Sequence, residues 1–171
     1  MTSFGAKSTA SEVAEGHDLT GYNVIVTGGN SGIGLETVRV LAQVGATVYM
    51  TARNVEKAKL IQEDLVKSTG NKNIHIEQLE LDSLDNVKSF VQRFLEKNIS
   101  LHILINNAGV VMPKLTYSRD GTEITFATNH IGHFALTNGL LPALKAGAKD
   151  RNVRVVNVSS CSHGMTDILE D

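Results

Sequence analysis

Several things are scarce in this chain, and each scarcity closes a route. Cys161 is the single cysteine in 171 residues, which excludes an internal disulfide and suits a reducing compartment. Only two prolines interrupt the chain, and the balance of 42% hydrophobic to 20% charged residues describes a folded protein with a packed interior. Neither sign of charge dominates: 16 Lys+Arg face 18 Asp+Glu for a net charge of −2, and the basic residues are scattered. Nothing there resembles a footprint for nucleic acid or an anionic membrane, so a small molecule is the expected partner. The N-terminal stretch MTSFGAKSTASEVAEGHDLTG holds no apolar run of the length a signal peptide or bilayer span needs. The expectation is a soluble protein, cytoplasmic, with association to an organelle as the alternative.

What is present is alternation. From Tyr22 onward, short β-branched runs trade places with longer segments of helical period, the pattern of βαβ units around a parallel sheet. Strands are predicted at Asn23 to Thr27, Thr47 to Thr51, Ile74 to Leu79, Ile103 to Asn106 and Val153 to Ser159. Most are apolar on both faces, as strands covered by helices on each side require. Helices are predicted from Gly32 to Val44, Val55 to Ser68, Leu84 to Glu96 and Gly121 to Ala146, with Gly45 and Gly70 as stops. Thr9 with Glu12 fits a capping box, so residues 1–18 read either as a tail carrying a short helix or as a solvated segment. Residues 19–171 then form a Rossmann-type, doubly wound α/β domain of about five parallel strands with helices on both faces.

The stretch VTGGNSGIG, Val26 to Gly34, sits where the first strand turns into its helix. A helix N-terminus offers unpaired N–H groups and the positive end of the helix dipole, which suit a pyrophosphate. Side chains at Gly28, Gly32 or Gly34 would obstruct the turn, the phosphate approach or the packing of helix on strand. The spacing is G-x-x-x-G-x-G, and a glycine turn of purely structural purpose is the competing reading. No Gly-Lys-Ser/Thr follows, which argues against a P-loop nucleotidase. The second strand ends Thr51-Ala52-Arg53-Asn54, with an arginine where a carboxylate would select NAD, so NADP is favoured; a solvated arginine opening a helix is the alternative.

Several stretches, in order, resemble the short-chain dehydrogenase/reductase family. TGGNSGIG is similar to its cofactor turn, NNAG at Asn106 to Gly109 to its fourth-strand motif, and RVVNVSS at Arg154 to Ser160 to its fifth strand, ending in the catalytic serine. FATNHIGHFALT, Phe126 to Thr137, is similar to the retinol-dehydrogenase-like branch and its plant relatives. The resemblance implies that Gly28, Asn30, Ser31, Gly32, Ile33, Gly34, Arg53, Asp82, Asn107, Ala108 and Gly109 contact the dinucleotide, and that Ser160 and Asn129 are catalytic. It implies an alcohol or carbonyl substrate, lipophilic in that branch. Asp82 would meet the adenine amino group; read from the residues alone, it is equally a helix cap. Asn129 and Gly132 both disfavour a helix interior on the stripe Ile124, Ala127, Ile131, Phe134, Leu141 and Leu144, by about half and about one kcal/mol relative to alanine, as happens at functional sites. A solvent-facing asparagine is the other reading. His130 and His133 carry no metal-site pattern.

One part of the family's chemistry is missing from the sequence. The family moves a proton with a tyrosine in Tyr-x-x-x-Lys, because free tyrosine titrates at about 10 and needs a cation beside it to act near neutrality. Tyr22, Tyr49 and Tyr117 are the three tyrosines, and none has lysine four residues later. Tyr117 with Arg119 is a poor substitute on a loop. The motif would fall beyond Ser160, so the expectation is an incomplete domain: a truncated oxidoreductase, or a non-catalytic dinucleotide-binding partner. Such a chain would expose Val153 to Ser159 as an apolar edge and tend to self-associate.

Overall fold

A computed structural model describes residues 4–162, so the outermost parts of the tail and of the predicted domain lie outside the described residues. Five strands form one parallel sheet: β1 (Asn23–Val26), β2 (Thr47–Ala52), β3 (Ile74–Gln78), β4 (Ile103–Asn106) and β5 (Arg154–Asn157). Their spatial order is β3-β2-β1-β4-β5, so the chain winds outward one way from β1, crosses back, and winds the other way. The crossing lies between β1 and β4, which pair with Val24 beside Ile103 and Val26 beside Ile105. A sheet that reverses its winding there opens a crevice at the carboxyl ends of those two strands.

Alternation along the strands divides the interior. Val24, Val26, Val48 and Met50 point to one face and pack under α2 (Gly32–Gln43) and α3 (Val55–Thr69) through Val38, Ala42, Ala58 and Leu65. Ile25, Tyr49 and Leu104 point to the other, against α4 (Leu84–Glu96) and α6 (Gly132–Gly147) through Phe90, Phe94, Leu136 and Leu140. Burying one such side chain contributes about 1.5–3 kcal/mol, which is why strands with no polar face are stable only between two helical layers. The short α1 (Ala10–Ala14) has the predicted capping box: Thr9 Oγ1 accepts from the Glu12 N–H at 3.2 Å, and the Glu12 carboxylate accepts from the Thr9 N–H at 2.7 Å. It lies against α2, where Arg39 donates to Ser11 Oγ at 3.1 Å.

The long helix expected over Gly121 to Ala146 is three pieces instead. Ser118, Gly121 and Thr122 make a tight turn, and Tyr117 bridges to Glu123. The Glu123 carboxylate caps α5 (Ile124–Phe126), accepting from the Thr125 and Phe126 N–H groups at 2.8 Å, and these bonds hold its pKa below the usual carboxylate range. A π turn, Ala127–Ile131, then leads into α6. The wider turn advances the apolar stripe. Phe134 and Leu141, predicted inside, are 65% and 38% exposed, while Leu136 and Leu140 are fully buried. Small residues on the corrected stripe meet other backbone: a Cβ on Gly132 or Gly147 would collide with the carbonyl oxygen of Leu81 or Leu101. β5 is also shorter than predicted, and all of it is exposed because nothing described packs on its outer side.

Candidate cofactor site

Gly28 turns the chain out of β1 with φ +63°, a conformation that favours glycine, and an added Cβ would press on Ala108 at 3.1 Å. Gly34 is buried where α2 approaches the turn; a Cβ there would overlap Asn107 Nδ2 and the Gly28 carbonyl. Gly32 differs from both. It too is left-handed, φ +52°, yet nothing lies within 4 Å of its Cβ position, so it faces open space. Gly29, not singled out in the sequence, is equally required, since a Cβ would sit 2.8 Å from Met50 and 2.9 Å from Val38.

The first turn of α2 is bare of competitors. Ser31 occupies the N-cap without making a side-chain cap, and no acidic residue lies in the first turn. In α3 and α4, by contrast, Asn54 and Ser83 cap the helix, and Glu56 and Asp85 supply the carboxylates. Ser31, Gly32 and Ile33 are exposed beside the half-buried Asn30, so the N–H groups and dipole of α2 stand open to an anion.

A buried threonine, which the sequence reading passed over as the end of a strand, joins this turn to the next loop. Thr27 Oγ1 accepts from the N–H groups of Asn107 and Ala108 at 2.8 and 2.9 Å, and Asn107 Nδ2 donates to the Thr27 carbonyl at 2.8 Å. A polar residue ending an otherwise apolar strand was the available signal. Thr51 makes the corresponding link to β2: its hydroxyl and carbonyl accept from the N–H groups of Gly28 and Gly29 at 3.3 and 3.2 Å. Two residues beyond Thr51, Arg53 is exposed and makes no hydrogen bond or ion pair with the described residues. Asp82, past β3, is not the helix cap: that position is Ser83, which accepts from the Asn86 N–H at 3.3 Å. Asp82 is left half-buried with no such partner among the described residues.

Asn129 lies in the π turn and faces the loop after β4. Its Oδ1 accepts from the Val110 N–H at 2.8 Å and its Nδ2 donates to the Val110 carbonyl at 2.9 Å, and a Cβ added to Gly109 would come within van der Waals range of it, 3.6 Å from Oδ1. Its side chain is therefore spent on holding the backbone that follows NNAG. Ser160 is exposed beyond β5 on the same edge of the sheet, where its Oγ accepts from the Ser162 N–H at 3.2 Å. The structure thus brings Gly28, Gly34, Asn107, Ala108, Gly109 and Asn129 together, with Asn107 and Ala108 bonded to Thr27, Asn129 bonded to Val110, and Gly28 and Gly34 leaving no room for a side chain beside Ala108 and Asn107. Arg53, Asp82 and Ser160 share the edge, and Arg53 and Asp82 make no bond to that group among the described residues. Arg119 turns to Glu80 at 3.3 Å, away from any pairing with Tyr117. His130 stacks on Phe126, whereas the ring of His133 is buried against Thr27.

The family model for short chain dehydrogenases matches residues 22–168. This chain belongs to that family. Among its curated relatives, short-chain dehydrogenase TIC 32 B, chloroplastic, from Brassica napus is 46% identical over 165 residues, covering 95% of this chain and 52% of the relative. Human retinol dehydrogenase 11 is 44% identical over 145 residues, covering 85% of this chain and 45% of that protein. The chain spans about half the length of these short-chain dehydrogenases. A crystal structure of a metagenomic short-chain oxidoreductase in complex with NADP superposes with a TM-score of 0.70 at 30% identity, over 83% of this chain and 63% of that one. Members of the family are oxidoreductases that use nicotinamide cofactors. The crevice fits such a group: an uncapped helix turn, an open left-handed glycine, and an arginine and an aspartate without partners among the described residues lie along one edge.

Proposed function

We propose that this chain is the NADP-binding part of a short-chain oxidoreductase acting on an alcohol or carbonyl compound. The observation that carries the reading is the carboxylate-free, uncapped start of α2, open at Gly32 and stapled through Thr27 to the NNAG loop at the β1–β4 crevice. The first-turn N–H groups of α2 and the Asn30–Gly34 turn would hold the pyrophosphate. Arg53 would grip the ribose 2′-phosphate with its planar fork, and Asp82 would accept from the adenine amino group. Asn107, Ala108 and Gly109 would form the floor under the nicotinamide. That ring supplies hydride donation or acceptance when bound. Ser160 would donate to the substrate oxygen, and Asn129 keeps the adjoining backbone in place. A lipophilic substrate is proposed because a relative is named for retinol, and association with an organelle because another is named chloroplastic.

The second reading, a binding module without turnover, is favoured by one specific fact: the 171 residues contain no Tyr-x-x-x-Lys. Titrating the chain with NADPH and NADH, followed by nicotinamide fluorescence and thermal stability, tests the proposal. Saturable binding with NADPH preferred is the expected outcome, and no binding of either would overturn both readings. Reduction of aldehydes or ketones that disappears in Ser160→Ala would remove the binding-only reading.

A further inference from the structure

His133 is 6% exposed and has both ring nitrogens engaged. Nε2 lies 2.8 Å from Thr27 Oγ1, and Nδ1 lies 3.1 Å from the main-chain carbonyl oxygen of Asn129. The direction of these bonds follows from counting protons. A hydroxyl has one proton and two lone pairs. Both lone pairs of Thr27 are taken by the N–H groups of Asn107 and Ala108, at 2.8 and 2.9 Å, so its proton must point outward. Two acceptors are within range, Ile105 O at 3.4 Å and His133 Nε2 at 2.8 Å, and the shorter contact is the better bond. Nε2 is then an acceptor without a proton. The proton of the neutral ring must sit on Nδ1, where it is donated to the Asn129 carbonyl.

We infer that His133 is a positioning residue: a neutral imidazole, protonated on Nδ1, that ties the carbonyl of Asn129 to the Thr27 hydroxyl and so to the Asn107 and Ala108 amides. The π turn and the floor of the crevice are thereby held as one unit through Thr27, which lies 106 positions from His133 in the chain. Burial, the largest influence, supports the neutral form, with the Asn129 carbonyl pulling the other way and the neighbouring His130 acting with burial. From β1 the ring is met by the Thr27 hydroxyl, which brings no charge. The consequence for binding rests on the NADP reading above; the tautomer and the linkage do not.

Long-range proton–nitrogen correlation spectra of the ¹⁵N-labelled full chain at neutral pH read the tautomer directly. The expected result is a protonated Nδ1 and an unprotonated Nε2; the reverse tautomer, or an imidazolium, would overturn the inference. His133→Gln places an amide group near the Nε2 position and keeps an acceptor for Thr27, whereas His133→Leu keeps bulk and removes both bonds. The Asn107 and Ala108 amide resonances should move in His133→Leu and stay close to wild type in His133→Gln, and the Val110 amide should respond in both. NADPH affinity should fall by about tenfold in His133→Leu and by less than about threefold in His133→Gln, the scale of one buried hydrogen-bonding group left unpaired. Equal losses in the two variants would mean that the ring only fills space. A wild-type chain that binds no NADPH would sink the functional proposal, while the tautomer and the amide shifts would still decide this one. Should His133→Leu fail to fold, the tautomer and His133→Gln suffice.

Discussion

Arg53 is the single residue proposed to set the choice of dinucleotide. It was legible in the sequence because the family places a selective residue at the end of the second strand, and the structure leaves its guanidinium exposed and unpaired among the described residues. Charge-assisted hydrogen bonds to phosphate contribute about 1.5–3 kcal/mol, so Arg53→Asp should weaken NADPH binding by about ten- to a hundredfold and leave NADH equal or favoured, as fluorescence titration would register. His133 was legible only as a histidine without metal partners; its partners Thr27 and Asn129 are 106 and 4 residues away, and only the fold brings the first to it. Burial, the leading cause, pushes its pKa below the ordinary 6.5. The unfolded chain then binds more protons than the folded one below that value, so this contribution to stability is complete above about pH 6.5 and is lost as pH falls through the lowered folded value. Urea unfolding between about pH 5 and pH 7 should show stability rising with pH, with a shallower rise in His133→Gln.

At the scale of an element, the segment after β4 is the instructive failure. Asn129 and Gly132 break helix preference side by side, and the break was visible in the sequence. Its form was not, because a π turn exchanges one hydrogen-bond pattern for another and its effect is to rotate every later side chain about the axis. That rotation exposes Phe134 and buries Leu136 and Leu140. Gly132 separates local from tertiary preference. Alanine there would gain about 1 kcal/mol of helix propensity, yet its Cβ would enter the Leu81 carbonyl, and overpacking costs about 1–3 kcal/mol. The collision is with backbone, which cannot swing aside, so Gly132→Ala should lower the urea midpoint. Helix α2 carries the parallel case: Gly34→Ala would push the helix off Asn107 and the Gly28 carbonyl, and NADPH binding should be lost along with stability.

Across the whole molecule, the two sides of the sheet are unequal. Strands β2, β1 and β4 lie inside and β3 and β5 are the edges; among the described residues β5 pairs only with β4, and Val155, Val156 and Val158 are 40%, 43% and 48% exposed. An apolar strand with an open edge is a template for another strand, so a protein of these 171 residues should sediment as more than a monomer at micromolar concentration, and Val156→Lys should shift it toward monomer. A wild-type chain that stays monomeric would contradict this. On the binding-only reading the same protein should bind NADPH without measurable turnover, because its sequence holds no Tyr-x-x-x-Lys to move the proton; stopped assays with aldehydes and ketones check it.

The amino-acid order by itself determined the five strands, the helices that alternate with them and the glycine turn, because each rests on short-range rules: hydrophobic period, β-branching, and the space a missing side chain leaves. It also located nearly every proposed contact at the carboxyl ends of the strands, since strand ends are visible as breaks in apolar runs. Tertiary structure decided the rest. Only packing revealed that Thr27 and His133 face each other, that Ser83 and not Asp82 caps α4, and that the stripe on α6 is turned by the π segment. Those are pairings between residues distant in the chain or angular shifts about an axis, and no local propensity encodes either.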